Sequence, residues 1–194
     1  RMFRDSDRGN AYGEKHTAVL RTIAMPCRRL DGLVNGMIDY LKIDVEGAEL
    51  DVLEGARRLF ERKAVLFVKT EFLLTPYYER TPLFGHQHVF LDEMGFRLLD
   101  MDSNHACYSW GPTAIPAVAD RRLKYAGDAL FALDPDSHSL SALESQRMAA
   151  ISFVFGFNSF GVSLLRRAGL LGSGEVDAIE RAIARRNHPF NRVA

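Results

Sequence analysis

"DYLKIDVEGAELDVLEGA", Asp39 to Ala56, passes from an apolar run into a cluster of acids. Tyr40, Leu41, Ile43 and Val45 are nearly continuous, the pattern of a strand covered on both faces. Gly47 breaks the run. From Ala48 onward, Val52, Leu53, Ala56, Leu59 and Phe60 recur at helical spacing. The junction between strand and helix therefore carries Lys42, Asp44, Glu46 and Glu49. A lysine inside an apolar strand is unfavourable unless paired, and Asp44, two residues along the same strand face, is one partner. Glu49 and Asp51 read as helix-surface acids.

Working outward, "TAVLRTIAMP" (Thr17 to Pro26) reads as a strand closed by Pro26, and Asp31 in "RRLDGLV" as a helix N-cap. "AVLFV", Ala64 to Val68, is a second buried strand, with Glu71 just past its end. "PLFGHQHVFLDEMG" reads as a helix stopped by Gly95. "FRLLDM" is a third strand, "GPTAIPAVADRRLKYAG" is irregular, and "DALFAL", Asp128 to Leu133, is a fourth strand. Strands alternating with helices predict an α/β sheet, parallel in its first part. After Pro135 the chain turns helical. "SALE", Ser141 to Glu144, fits a capping box. "MAAISFVFGFNSFGVSLL" reads as buried helices, and a last helix covers Glu175 to Arg186. The expected division is residues 1–135 for the α/β part and 136–194 for a helical extension.

With 194 residues, 25 basic and 25 acidic side chains and a formal net charge of zero, the chain has no electrostatic reason to bind nucleic acid. No apolar run is long enough to span a bilayer, and no signal peptide is visible. Cys27 and Cys107 lack metal-ligand or redox spacing, so a reduced, cytoplasmic protein is the expectation. Arg1 stands before Met2, which suggests a chain that begins inside a longer protein.

Two readings of the acids stand side by side. Asp44 and Glu46 either satisfy loop amides and the following helix N-terminus, or hold a ligand, because ligands of open α/β sheets bind beyond the carboxyl ends of strands. Glu71 would share that sheet edge. Gly47 lets the backbone turn sharply or lets a ligand approach. His86 and His88, in "FGHQH", are candidate bases because histidine titrates near neutral pH, and equally are surface or capping residues of a helix start. Their H-x-H spacing has no further ligands at diagnostic distance, so no metal is expected there. Tyr77, Tyr78, Phe84 and Trp110 either stack on an acceptor or pack.

"IDYLKIDVEGAELDVLEGA" resembles the signature segment of the FkbM-type methyltransferases, a family of S-adenosylmethionine-dependent O-methyltransferases. "MPCRRLDGLV" before it, and "VLFVKTEF", "FLDEMGFRLLDMD" and "GDALFAL" after it, resemble further pieces of the family in the same order, over roughly residues 17–134. The resemblance implies a Rossmann-like class I methyltransferase sheet, S-adenosylmethionine as cofactor, and O-methyl transfer to a small-molecule or sugar-containing acceptor. For that reaction the candidates are Asp44, Glu46 and Gly47 at the cofactor, Asp44 with His86 or His88 at the chemistry, and Lys42 and Glu71 at the acceptor. Nothing before Asp39 reads as the strand, glycine-rich turn and helix that open such a fold. The sheet is therefore expected to be incomplete at its N-terminus. The consequences expected are an exposed sheet edge that self-associates, weak or absent cofactor binding, and inactivity of the chain by itself. The rival readings are a non-catalytic relative acting as a binding module, and an enzyme holding a metal on Asp44, Glu46 and Glu71.

Overall fold

The computed structural model describes residues 21–75, 81–108 and 123–186. Two compact units make up the chain, Arg1–Leu133 and Asp134–Ala194. In the first unit the elements run β1 (Ile38–Ile43), α1 (Glu49–Gly55), α2 (Arg57–Glu61), β2 (Val65–Leu73), α3 (Phe84–Glu93), β3 (Phe96–Tyr108) and β4 (Leu123–Leu133). The four strands form one sheet in the order β1-β2-β4-β3. β1 and β2 are parallel, as the intervening helices require, and β4 runs antiparallel to both of its neighbours.

Burial bears out the expected pattern in β2 but not in β1, where Ile43 is the one buried residue, Tyr40 and Leu41 are half-buried, and Val45 lies exposed past the strand end. Val65, Leu66, Phe67 and Val68 are all fully buried, so the start of β2 is covered on both faces. Beyond Val68 the strand alternates. Thr70 and Phe72 are buried on one face, while Lys69 and Glu71 are half-buried on the other. On the helix side, Phe60 meets Phe90 and Phe96 edge to face, with ring centroids 5.7 and 5.4 Å apart. The Arg57 guanidinium lies 4.8 Å from the centroid of the Phe90 ring. Lys63 donates to the Met94 carbonyl at 2.6 Å, closing the end of α3, and Gly95 leaves that helix at φ 84°.

Several elements differ from the sequence expectation. β2 runs on to Leu73, so Glu71 lies inside the strand, not past it. β3 and β4 are longer than "FRLLDM" and "DALFAL", and Leu123 to Gly127, expected to be irregular, is strand. A bulge hides the period there. Asp102 faces Asp128 but Ala106 faces Ala126, so three residues of β3 stand against Gly127. A Cβ on Gly127 would come within 2.0 Å of the Asp102 carbonyl oxygen and 2.9 Å of Phe72 Cζ, so only glycine fits. Arg21 to Pro26 is not strand, and Thr17 to Leu20 lie outside the described residues. Asp31 does not cap its own segment. It sits in a 3-10 turn, Leu30–Gly32, and its Oδ1 accepts from the Leu59 amide at 3.1 Å, capping α2 from 28 residues away.

The second unit holds α4 (Ala142–Val154), α5 (Asn158–Arg167) and α6 (Ser173–Arg186). The capping box is present: Glu144 N donates to Ser141 Oγ at 3.2 Å, and Ser141 N donates to Glu144 Oε2 at 2.7 Å. Gly156, at φ 82°, makes the corner after α4. The apolar run is not buried throughout. Met148, Ala149, Val162 and Leu164 are covered, but Val154 is 82% exposed. Among the described residues no helix is long and apolar enough to cross a membrane.

Candidate functional site

β1 ends at Ile43, opposite Thr70, whereas β2 continues. The two parallel strands part at this level, and the chain turns away through Asp44 to Ala48. Glu46 and Gly47 are both left-handed, at φ 57° and 102°. A non-glycine residue in that region is disfavoured by roughly 1–2 kcal/mol, so something must hold it. Glu49 does. Its Oε1 accepts from Val45 N at 3.0 Å and from Gly47 N at 3.1 Å, and the residue is only 3% exposed. Glu49, read from the sequence as a surface acid, is the clamp of the turn. A helix periodicity cannot show this, because the position looks solvent-facing until the preceding loop folds back over it.

The turn brings Asp44 and Glu46 to Glu71. One carboxylate oxygen from each of the three lies within 4.8 Å of the others. Burial, and then the charges of Glu46, Asp44, Glu49 and Asp128, raise the Glu71 pKa from 4.5 to about 7. Lys42 pairs with Asp44 at 2.6 Å, as its position two residues away suggested. It is not buried, however: its side chain is 50% exposed, because β1 is the outer strand of the four. The bond to Asp44 raises the Lys42 pKa.

Lys69 and Asp128 complete this face and were not singled out from the sequence. They pair at 2.9 Å, which raises the lysine pKa. Lys69 lies opposite Lys42, and Asp128 lies opposite Glu71. The signal available was the alternation in "VKTEF", where Lys69 and Glu71 share one face. Beneath them, Gln87 of α3 is buried and donates from Nε2 to the Glu71 carbonyl at 3.1 Å. Thr70 Oγ lies 3.2 Å from Gln87 Oε1 and 3.1 Å from the Glu71 carbonyl oxygen, donating between them.

The histidines go elsewhere. His86 is exposed at the start of α3, where its Nδ1 accepts from Leu83 N at 3.1 Å. The His88 ring stacks on Phe84 at 5.4 Å and packs against Phe131 at 5.9 Å. Phe131 faces Val68 in the register, on the side of the sheet away from Lys69 and Glu71. Phe84 packs on Phe72, with centroids 4.9 Å apart. Tyr77, Tyr78 and Trp110 lie outside the described residues. A cavity of about 690 Å³ is lined by Arg28, Arg29, Asp31, Gly32, Leu33 and Arg58 and includes none of Asp44, Glu46 and Glu71. Asp44 and Glu46 instead lie just past the end of β1, beside Glu71 on the continuing β2.

No curated protein and no solved structure matches the chain. The family model of the methyltransferase FkbM domain matches residues 2–98. The match begins before the segment expected from the motifs and ends at the start of β3. It takes in the whole Asp44–Glu49 turn together with Glu71 and Gln87. Half of the chain lies within the match, and the protein therefore belongs to the FkbM methyltransferase domain family, whose chemistry is methyl transfer.

Proposed function

We propose that the chain serves S-adenosylmethionine-dependent O-methyl transfer to a hydroxyl of a small-molecule or sugar-containing acceptor, on a Rossmann-like sheet. The observation that carries this reading is the gathering of Asp44, Glu46 and Glu71 where two parallel strands part, the place where open α/β sheets bind ligands. The donor set fits the cofactor. Its methionine end carries an ammonium and its centre a sulfonium, and carboxylates suit both. Gly47, left-handed and without a side chain, would let a ligand approach the turn, although its amide is engaged by Glu49. Asp44, Glu46 and Gly47 would hold the cofactor, which supplies an electrophilic methyl group when bound.

Glu71 is the group suited to take the proton from the acceptor hydroxyl. A carboxyl with a pKa of about 7 is half ionised at neutral pH, near the optimum for a general base. Lys42 orients Asp44 through their ion pair. Lys69 and Asp128 offer a donor and an acceptor on the same sheet face for the polar groups of a hydroxylated acceptor. The reaction otherwise needs alignment, which fixed strand ends supply.

Calorimetric titration with S-adenosylmethionine, on this chain and on one extended upstream of Arg1, tests the reading. Binding that Asp44→Ala and Glu46→Gln abolish supports it. Binding indifferent to both changes rejects the assignment of these residues. Absence of binding in both chains favours the non-catalytic module. The close approach of the three carboxylates also favours a second reading, a hard divalent cation held by oxygen ligands. Metal content after purification, compared between the wild type and Glu46→Gln, separates the two.

A further inference from the structure

The acids do not come together by their own attraction. Glu71 faces Asp44 and Glu46 beyond the end of β1, Glu49 of α1, and Asp128 of β4; burial first, and then these four charges, raise its pKa. Lys42 and Lys69 lie on the same face, but each is bound to its own acid, Asp44 and Asp128. Mutual repulsion should turn the Glu71 side chain outward, or let the strand end swing away. The ladder gives little resistance at this level. β1 makes its last pairing at Ile43 with Thr70, so among the described residues Glu71 has a strand partner only on the β4 side.

Gln87 occupies the position where the ladder stops. Its amide donates to the Glu71 carbonyl, and its own oxygen takes the Thr70 hydroxyl, which also reaches the Glu71 carbonyl. Thr70 is fully buried and Gln87 is 1% exposed, so neither group exchanges these partners for water. A buried primary amide with both ends engaged by consecutive strand residues fixes the backbone of the second. It does so from the helix-covered side, without entering the carboxylate cluster.

We infer that Gln87, with Thr70, is a positioning residue of the methyl-transfer site: it holds the end of β2 in place of the missing strand partner and so keeps the Glu71 carboxyl facing Asp44 and Glu46. The inference rests on the reading of Glu71 as the proton acceptor, but its geometric content can be tested without turnover. Sequence reading passed over Gln87, which lies between the two histidines that drew attention in "GHQH".

The test is the titration of Glu71 in the 194-residue chain, followed by carbon NMR of selectively labelled glutamate carboxyls. Gln87→Met keeps the volume and removes both hydrogen bonds. Its Glu71 midpoint should fall by about one pH unit or more, as the carboxyl escapes its neighbours. Thr70→Val should lower the midpoint in the same direction, and Thr70→Ser, which keeps the hydroxyl, should restore it. An unchanged midpoint in a folded Gln87→Met, with only the melting temperature lowered, overturns the inference and leaves Gln87 a packing residue. Should Gln87→Met fail to fold, the Thr70→Val and Thr70→Ser pair decides: equal midpoints reject the inference. In an active, upstream-extended chain, Gln87→Met should lower kcat by about tenfold and shift the acid limb of the pH profile, with the KM for cofactor unchanged. Loss of the Glu71 base reading alone would show differently: Glu71→Gln would keep full turnover while the Gln87 effect on the midpoint persisted.

Discussion

Replacing Glu71 with glutamine should stabilise the chain at pH 8 and only about a quarter as much at pH 5. The folded protein holds the Glu71 proton up to a pKa of about 7, against 4.5 for an unperturbed glutamate. Well below pH 4.5 the carboxyl is protonated in both folded and unfolded chains and contributes nothing. Between pH 4.5 and 7 the unfolded chain ionises first, so stability falls as pH rises. Above pH 7 the folded state carries the whole penalty of a carboxylate pressed against Glu46, Asp44, Glu49 and Asp128. The two proton affinities set a ceiling of about 3 kcal/mol. Glu71 is only half-buried, and solvent screens its neighbours, so a realistic value is about 1 kcal/mol. Glutamine keeps the shape and never ionises. For a chain of this size, that gain corresponds to roughly 2–4 °C in melting temperature. Urea denaturation of wild type and Glu71→Gln at pH 5 and pH 8, in low salt, measures it. A difference that is the same at both pH values, or a variant less stable at pH 8, refutes the picture of a crowded, repelled carboxyl.

Gly127→Ala should destabilise the first unit by about 2 kcal/mol or more, because the added carbon meets the Asp102 carbonyl oxygen at 2.0 Å; thermal denaturation reads this directly. Glu49→Ala leaves the Val45 and Gly47 amides without their carboxylate and the left-handed Glu46 unheld. A loss of about 2 kcal/mol is expected, with cofactor binding weakened in any chain that binds it. In an active chain, Asp44→Ala should reduce turnover by about tenfold or more, while His86→Ala and His88→Leu, whose rings cap and pack α3, should change it little. β1 is the outer strand of the described sheet and is flanked by exposed Met37 and Val45. Self-association through that edge is expected; light scattering across a concentration series tests it, and a monomer at every concentration removes it.

The succession of strands and helices was legible because β2 and β4 carry buried apolar runs separated by helical spacing. The motif "LKIDVEGAE" placed Asp44 and Glu46 at a strand end. What escaped was long-range or broken in period. The β3 bulge over Gly127 puts three residues against one and scrambles the alternation that marks a strand. Asp31 caps a helix 28 residues away, and Glu49 clamps the loop behind it, so neither role shows in a local window. Lys69 and Asp128 gain meaning only from the antiparallel return of β4 beside β2, which the sequence leaves undetermined. His86 and His88 drew attention because their titration range suits catalysis, but side-chain type does not say which face of the sheet a helix covers.

The arrangement of charge across the sheet bears on whether this face is structural or functional. Lys42 stands opposite Lys69, Glu71 opposite Asp128, and Asp128 opposite Asp102. Like charges directly across a ladder oppose folding, and three such meetings on adjoining strands contribute nothing that apolar or alternating residues would not provide better. Lys42 and Lys69 are each relieved by an acid of their own. Glu71 is not relieved: burial and four carboxylates together move its pKa, while the buried Gln87 amide holds its backbone in place. A chain selected for stability alone would release that carboxyl to solvent, and a single glutamine substitution would achieve as much. That retained tension is consistent with the proposed role of Glu71 as a proton acceptor near neutral pH.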